Sequence, residues 1–287
     1  MTVRNKASNS GALPLPRGSI VFVQIEEHEW TFKYPRITAR VLDRFDQAVE
    51  MMENVQIVKA ESEFRQMLVD FPEFIDAYHH LAMVMENTKR VGDAFATWEY
   101  AVDIGLRYFP RAFVIGRDLL PWYYLDNRPF LRAYHGYSLH LLEYSFLGQA
   151  LKNFTEILAM DPNDHLGIRV SVINCFFRLG RPDDVLSVCD NFTQDISVET
   201  VYGKVLALLQ LELMDEATIA LRDAIRILPL VVKELTKRTH QQPPSNWPGL
   251  VTHGGADQAY EYWRTHGEYW ANTPGAIDFI MKHQNSR

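Results

Sequence analysis

The sequence predicts an all-α solenoid of stacked helix–turn–helix pairs, and three observations predict it. Small and aromatic residues recur 34 positions apart: Ala48 as Ala82, Ala60 as Ala94, and Phe64 as Trp98. Helical periodicity runs from about Thr38 to Arg238, with the array itself read over residues 41–232. Prolines at 72, 162 and 229 stop helices at matching places in successive units. A repeat of this length marks units that bury their apolar faces only against their neighbours. The cause is steric. Two helices that cross closely need a small side chain where the backbones meet, and the void beside it takes a large one.

Each element follows in order. Residues 1–18 (MTVRNKASNSGALPLPRG) are polar, aperiodic and punctuated by Ser, Gly and Pro, so they read as a flexible tail. Residues 19–40 change character. SIVFVQI is rich in β-branched and aromatic residues, and Trp30, Phe32 and Tyr34 alternate with Thr31 and Lys33. That is period-two patterning and predicts an extended, β-like arm. The first helical unit spans about 41–74, with Ala60, Phe64 and Met67 on one face of its second helix. The second spans about 75–108, with Tyr78, Leu81, Ala82 and Met85 on one helix and Ala94, Trp98 and Ala101 on the next.

The period then breaks. The set returns as Ala150, Phe154, Ile157 and Pro162, which leaves an insertion at about 109–130 containing PWYYLDNRPF. It returns again 67 residues on, as Ala217, Leu221, Ala224 and Pro229, so a degenerate repeat lies near 165–197 with Asp184 and Val188 in the small and aromatic places. Residues 233–287 form a helical cap. Pro243, Pro244 and Pro248 interrupt the chain, and a helix resumes near Asp257 with Ala259, Tyr260, Trp263, Gly267 and Trp270 in one stripe. Thr273 and Pro274 open a last short helix. The tryptophans shield the end of the array, or else form a homodimer patch.

The charge of −7 over 287 residues argues against a nucleic-acid partner, which needs a basic face. No apolar run is long enough for a membrane span or a secretory leader, so a cytoplasmic protein is expected. Cys175 and Cys189 are too few for a disulfide framework and read as reduced core thiols.

The two 34-residue units, through Ala48, Ala60, Phe64 and Pro72 and then Ala82, Ala94, Trp98 and Ala101, resemble tetratricopeptide (TPR) repeats. They lack the glycine usual beside the small residue of the first helix. The segments EWTFKYPR, FIDAYHHLA, LPWYYLDNRPFLRAYHG and DPNDHLGIR, with the tail GGADQAYEYWRTHGEYWANTPGAIDFI, resemble a widespread group of TPR proteins with no assigned activity. The tail is also similar to the end of the suppressor-of-tumorigenicity-7 family. The resemblance implies a TPR-type solenoid with a family-specific cap, and a protein-binding scaffold that holds a peptide or protein segment on the concave side.

That side is lined by the first helix of each repeat. The faces opposite the core residues carry His79 and Met83, then Arg132, His135 and Leu139, then Arg169, Ile173 and Phe177, then Tyr202. These form the expected groove, with apolar burial near Ile173, Phe177 and Tyr202 and orientation by the arginines and His135. The alternative for Arg132 and Arg169 is pairing with neighbouring carboxylates, and for Leu139, Ile173 and Phe177 it is burial by an adjacent helix or by the N-terminal arm. The Lys/Asn/Arg clamp of some TPR domains is absent, since Phe45, Val49, His79 and Met83 hold those places. Trp122, Asn127 and Arg128 form a possible recognition loop, or a turn packed beneath Pro129.

No catalytic motif is present: no G-x-S-x-G, no phosphate-binding Gly-rich loop, no dinucleotide fingerprint. The ten histidines fall at spacings that do not share an ion, so no metal and no cofactor are expected. The chain is therefore read as non-enzymatic. The alternative is an enzyme or small-ligand sensor whose pocket gathers His79, His135, Trp122 and Arg128 from the insertion, the His-bearing helices and the arm.

Overall fold

The computed structural model describes residues 18–244 and 251–283, so most of the expected tail lies outside the described residues. The chain divides into two compact units, Met1–Leu166 and Gly167–Arg287. The expected array of 41–232 thus spans both. Unit 1 opens with strands β1 (Val21–Glu26) and β2 (Glu29–Lys33), an antiparallel hairpin with Phe22 opposite Phe32. Three helical pairs follow: α1 (Ala39–Glu53) with α2 (Ile57–Asp70), α3 (Ile75–Asn87) with α4 (Val91–Arg107), and α5 (Arg128–Glu143) with α6 (Leu147–Met160). Unit 2 holds α7 (Ile168–Arg178) with α8 (Pro182–Asn191) and α9 (Val198–Gln210) with α10 (Met214–Ile227). It ends in α11 (Pro229–Leu235), α12 (Ala256–Asn272) and α13 (Ala276–His283). The fold class is all-α and of the helical-repeat type.

One turn design recurs in all five pairs. Val55, Lys89, Ser145, Gly180 and Glu212 each adopt a left-handed φ between 58° and 67°. The next residue in each case donates its N–H to the carbonyl five positions back: Gln56 to Met51, Arg90 to Met85, Phe146 to Leu141, Arg181 to Phe176, and Leu213 to Leu208. This bond captures a carbonyl that the helix end leaves unsatisfied. It offsets the left-handed conformation, which costs an L-residue roughly 1–2 kcal/mol.

The small and aromatic positions of the sequence pattern are core. Ala48, Ala60, Phe64, Ala82, Ala94, Ala150, Phe154, Ala217 and Leu221 are all fully buried. The degenerate repeat needs a correction. Its buried residues are Val185 and Cys189, not Asp184 and Val188. Burial pushes the Cys189 thiol up to about 12, so it behaves as a small apolar filler.

The hairpin does not lie in the helical groove. It docks on the segment between α4 and α5. Phe22 meets Trp30, Phe32, Phe109 and Phe113, and Phe32 also packs on Phe130. Trp30 donates its N–H to the Leu119 carbonyl at 3.0 Å, and Leu119 donates back to the His28 carbonyl at 2.7 Å. Asn127 completes the joint. Its carboxamide accepts from the Phe32 N–H and donates to the carbonyls of Trp30 and Pro121, each at 3.0 Å. Asn127 is fully buried, so its place in a recognition loop is corrected to that of a latch.

The cap also differs from expectation. The buried stripe of α12 is Ala259, Tyr262, His266 and Trp270, shifted from the predicted one, and Thr273 ends α12 instead of starting α13. The Trp270 indole donates to the Tyr262 hydroxyl at 3.1 Å.

Asn127→Ala removes three bonds inside the joint and leaves buried backbone groups unpaired, at roughly 1–3 kcal/mol for each such group. The expected outcome is a lower melting temperature, with the amides of Trp30 and Phe32 losing hydrogen-exchange protection while those of α9 keep theirs.

Candidate functional site

Alternate faces of α3 and α5 do different work. The core face carries Leu81, Ala82 and Met85, and Leu131, Tyr134 and Leu141, all buried. The opposite faces line a cleft of about 490 Å³. From α3 come His79, Met83 and Glu86. From α5 come Arg132, His135, Leu139 and Glu143, with Leu166 beyond them. Five of the residues assigned to the groove from sequence, namely His79, Met83, Arg132, His135 and Leu139, therefore line one cleft of unit 1.

Its floor is built by close helix approach. A Cβ at Gly136 would lie 2.8 Å from the Trp98 indole nitrogen and 3.1 Å from the His79 ring. Only glycine lets α5 come this near. The Trp98 indole donates to His79 Nδ1 at 3.0 Å, which leaves the proton of the neutral ring on Nε2. Burial, with His80, Arg132 and His135 nearby, holds His79 well below the ordinary histidine range. Burial alone pushes His135 down to about 4. Both rings are thus uncharged at neutral pH. His140 Nδ1 lies 2.9 Å from Glu86.

The electrostatics of the cleft are lopsided. Arg132 is engaged bidentately by Asp76, whose side chain is nearly buried. Glu143 has no cationic partner among the described residues, and Glu86 has only His140. The cleft is an apolar trough of Met83, Leu139 and Leu166 with a net acidic rim.

The remaining groove residues do not extend such a trough. In unit 2, Ile173 and Tyr202 are fully buried and Phe177 is 5% exposed. The causes are α9 and α12. Phe177 stacks on Tyr269 at 5.5 Å, and Tyr202 packs on Tyr262 at 5.9 Å and donates to the Leu228 carbonyl at 2.8 Å. Arg169 is held bidentately by Asp195 at 2.7 and 2.8 Å. The expectation that Ile173, Phe177 and Tyr202 meet a partner is therefore corrected, because α9 and α12 of the chain itself cover these side chains. Arg132 and Arg169 are likewise already paired with carboxylates.

A second cavity of unit 1, about 310 Å³, adjoins the cleft, since Arg132 lines both. Its walls include Tyr34, Ile37, Leu42, Phe74, Leu125 and Arg128. Arg128 lies over the Trp122 ring at 5.0 Å and donates Nε–H to the Trp122 carbonyl at 3.1 Å. Trp122 itself does not line either space, so His79, His135, Trp122 and Arg128 do not share one cavity. Among the described residues no cluster of His, Cys, Asp or Glu is placed to share a metal ion, and no helix is long and apolar enough to cross a membrane.

Missing from the sequence reading were Gly136 and the indole of Trp98. The signal for Gly136 was present in RAYHGYS, a glycine inside a helical pattern, where it is retained only for close packing.

Helices paired in chain order define a helical-repeat protein. Residues 30–261 match the model of a family described as "Transcriptional repressor TCF25", and the chain belongs to that family. The match ends inside α12, and it is not to the suppressor-of-tumorigenicity-7 family that the tail resembles. No curated protein matches the chain. Among solved structures the chain is similar to YrrB, "a TPR protein with an unusual peptide-binding site", with 16% identity, 65% of this chain and 85% of that one covered, and a TM-score of 0.48. It is also similar to a chain of Naa15/Naa10 bound to HypK-THB, with 13% identity and a TM-score of 0.45. There, 85% of this chain but only 34% of the other is covered.

His135 and His266, each pushed to about 4 by burial, give a pH signature. Their folded-state values lie below the unfolded value near 6.5, so the unfolded chain takes up protons that the folded chain refuses. Stability from this source is complete above about pH 6.5 and falls as pH drops toward 4, on the order of 2–3 kcal/mol per histidine. Urea unfolding at a series of pH values should show the fall, and replacing both histidines with Gln should reduce it, leaving the share that His79, also held down by burial, contributes.

Proposed function

We propose that the protein is a non-enzymatic interaction scaffold that holds an extended peptide segment in the α3–α5 cleft of unit 1. The observation that carries this reading is the convergence of Met83, Leu139 and Leu166 on one open trough, with Leu139 43% exposed. Apolar side chains of the segment would fill the trough. Glu86 and Glu143 would favour a basic residue beside them. Neutral, deeply placed His79 and His135 act as shape and hydrogen-bonding groups here.

The family description carries a second reading of the same scaffold, in which the bound segment belongs to a transcription-repressing assembly. The net charge of −7 disfavours direct contact with DNA, so any such role would run through another protein. That reading would bring the chain to the nucleus, against the cytoplasmic expectation, and imaging of a tagged chain decides between the two.

Leu139→Glu tests the cleft. The side chain is exposed enough for the fold to accept the change. In a random-peptide phage selection on the purified chain, peptides enriched by the wild type should bind Leu139→Glu at least about tenfold more weakly, as expected for an apolar anchor lost. Equal binding by both proteins, with equal melting temperatures, would sink the reading.

A further inference from the structure

We infer that the second cavity of unit 1 is a carboxylate site, and that it takes an acidic side chain of the same segment that fills the α3–α5 cleft. This rests on the reading above. The charges around the cavity are the first ground. Asp76 is satisfied by Arg132, and Asp126 is paired with Lys33 at 2.7 Å. The four charges of the lining are those of Asp76, Asp126, Arg128 and Arg132, and Arg128 is the one among them with no counter-charge among the described residues.

That charge is held in place. The guanidinium is fixed on one side by the Trp122 carbonyl and on the flat side by the Trp122 ring. Only Nε is used, so its terminal nitrogens keep their donors. A planar, preorganised guanidinium of this kind suits a carboxylate and loses little freedom on pairing. Arg128 is also the first residue of α5, whose N-terminal end adds partial positive charge.

The two carboxylates of the wall, Asp76 and Asp126, are engaged by Arg132 and Lys33, and a further donor remains. Tyr34 lines it, and its buried hydroxyl has no hydrogen-bond partner. Burial, with Asp76 and Asp126 nearby, keeps that phenol protonated, hence a donor. The apolar walls of Ile37, Leu42, Phe74 and Leu125 lower the local dielectric and strengthen a single charge pair. Because Arg132 lines both spaces, a chain lying in the cleft reaches the cavity without leaving unit 1.

The test uses peptides enriched by the phage selection, synthesised with each Asp or Glu and with the matching Asn or Gln, and measured by fluorescence polarisation on the full chain. The expected result is a loss of about tenfold on removing one acidic group, a loss that disappears when the protein is Arg128→Gln. Arg128→Lys should keep part of the preference, since it keeps the charge but not the plane. Amidating the peptide C-terminus should change nothing, and an effect confined to that group would overturn the side-chain assignment. Enriched peptides that bind through Leu139 yet show no acidic preference would overturn this inference and leave the cleft standing. If no peptide is enriched, both fall. Melting temperatures of the Arg128 variants within a few degrees of wild type show that the losses are not unfolding.

Discussion

A single left-handed residue, locked by one backbone hydrogen bond, reverses the chain between the two helices of every pair. The rest of the structure depends on that reversal. It fixes which face of each first helix meets its own partner, and so which face is left over. The same motif at Val55, Lys89, Ser145, Gly180 and Glu212 gives five equivalent pairs from units whose sequences have drifted apart. Four of the five positions accept a side chain where glycine would be easier, so the hydrogen bond and the packing beyond it dominate the local cost.

What happens to the leftover face differs between the units. In unit 2, α12 lies along it and buries Phe177 and Tyr202 under aromatic rings. In unit 1 the face of α3 and α5 stays open, and Gly136 deepens it by letting α5 approach Trp98 and His79. The hairpin, a second candidate to fill it, is held away by Asn127 and the aromatic cluster of Phe109 and Phe113.

Much of this was legible in the sequence, because helix periodicity and crossing sterics act locally. The pairs, the interrupted period and the side chains of the unit 1 cleft follow from residues 34 apart and from faces of one helix. Long-range events were not legible. The two irregular spacings around α8 hid that Val185 and Cys189 fill the core, since a cysteine in an aromatic place matches no pattern. Asn127 sits 95 residues from Phe32, and nothing near either one announces their bond. The cover on Phe177 comes from α12, beyond the interrupting prolines, and periodicity cannot say where a distant helix returns. Ion pairing of Arg132 and Arg169 depends on partners 56 and 26 residues away.

On the proposed reading, a partner would make apolar contacts in the trough, place a basic group near Glu86 and Glu143, and an acidic one near Arg128. Hydroxyl-radical footprinting read by mass spectrometry tests the central claim most directly. Met83 and Leu139 should oxidise readily, Phe177 and Tyr202 should resist, and a selected peptide should protect the first pair alone. Ready oxidation of Phe177 and Tyr202, or protection of them by the peptide, would contradict the account.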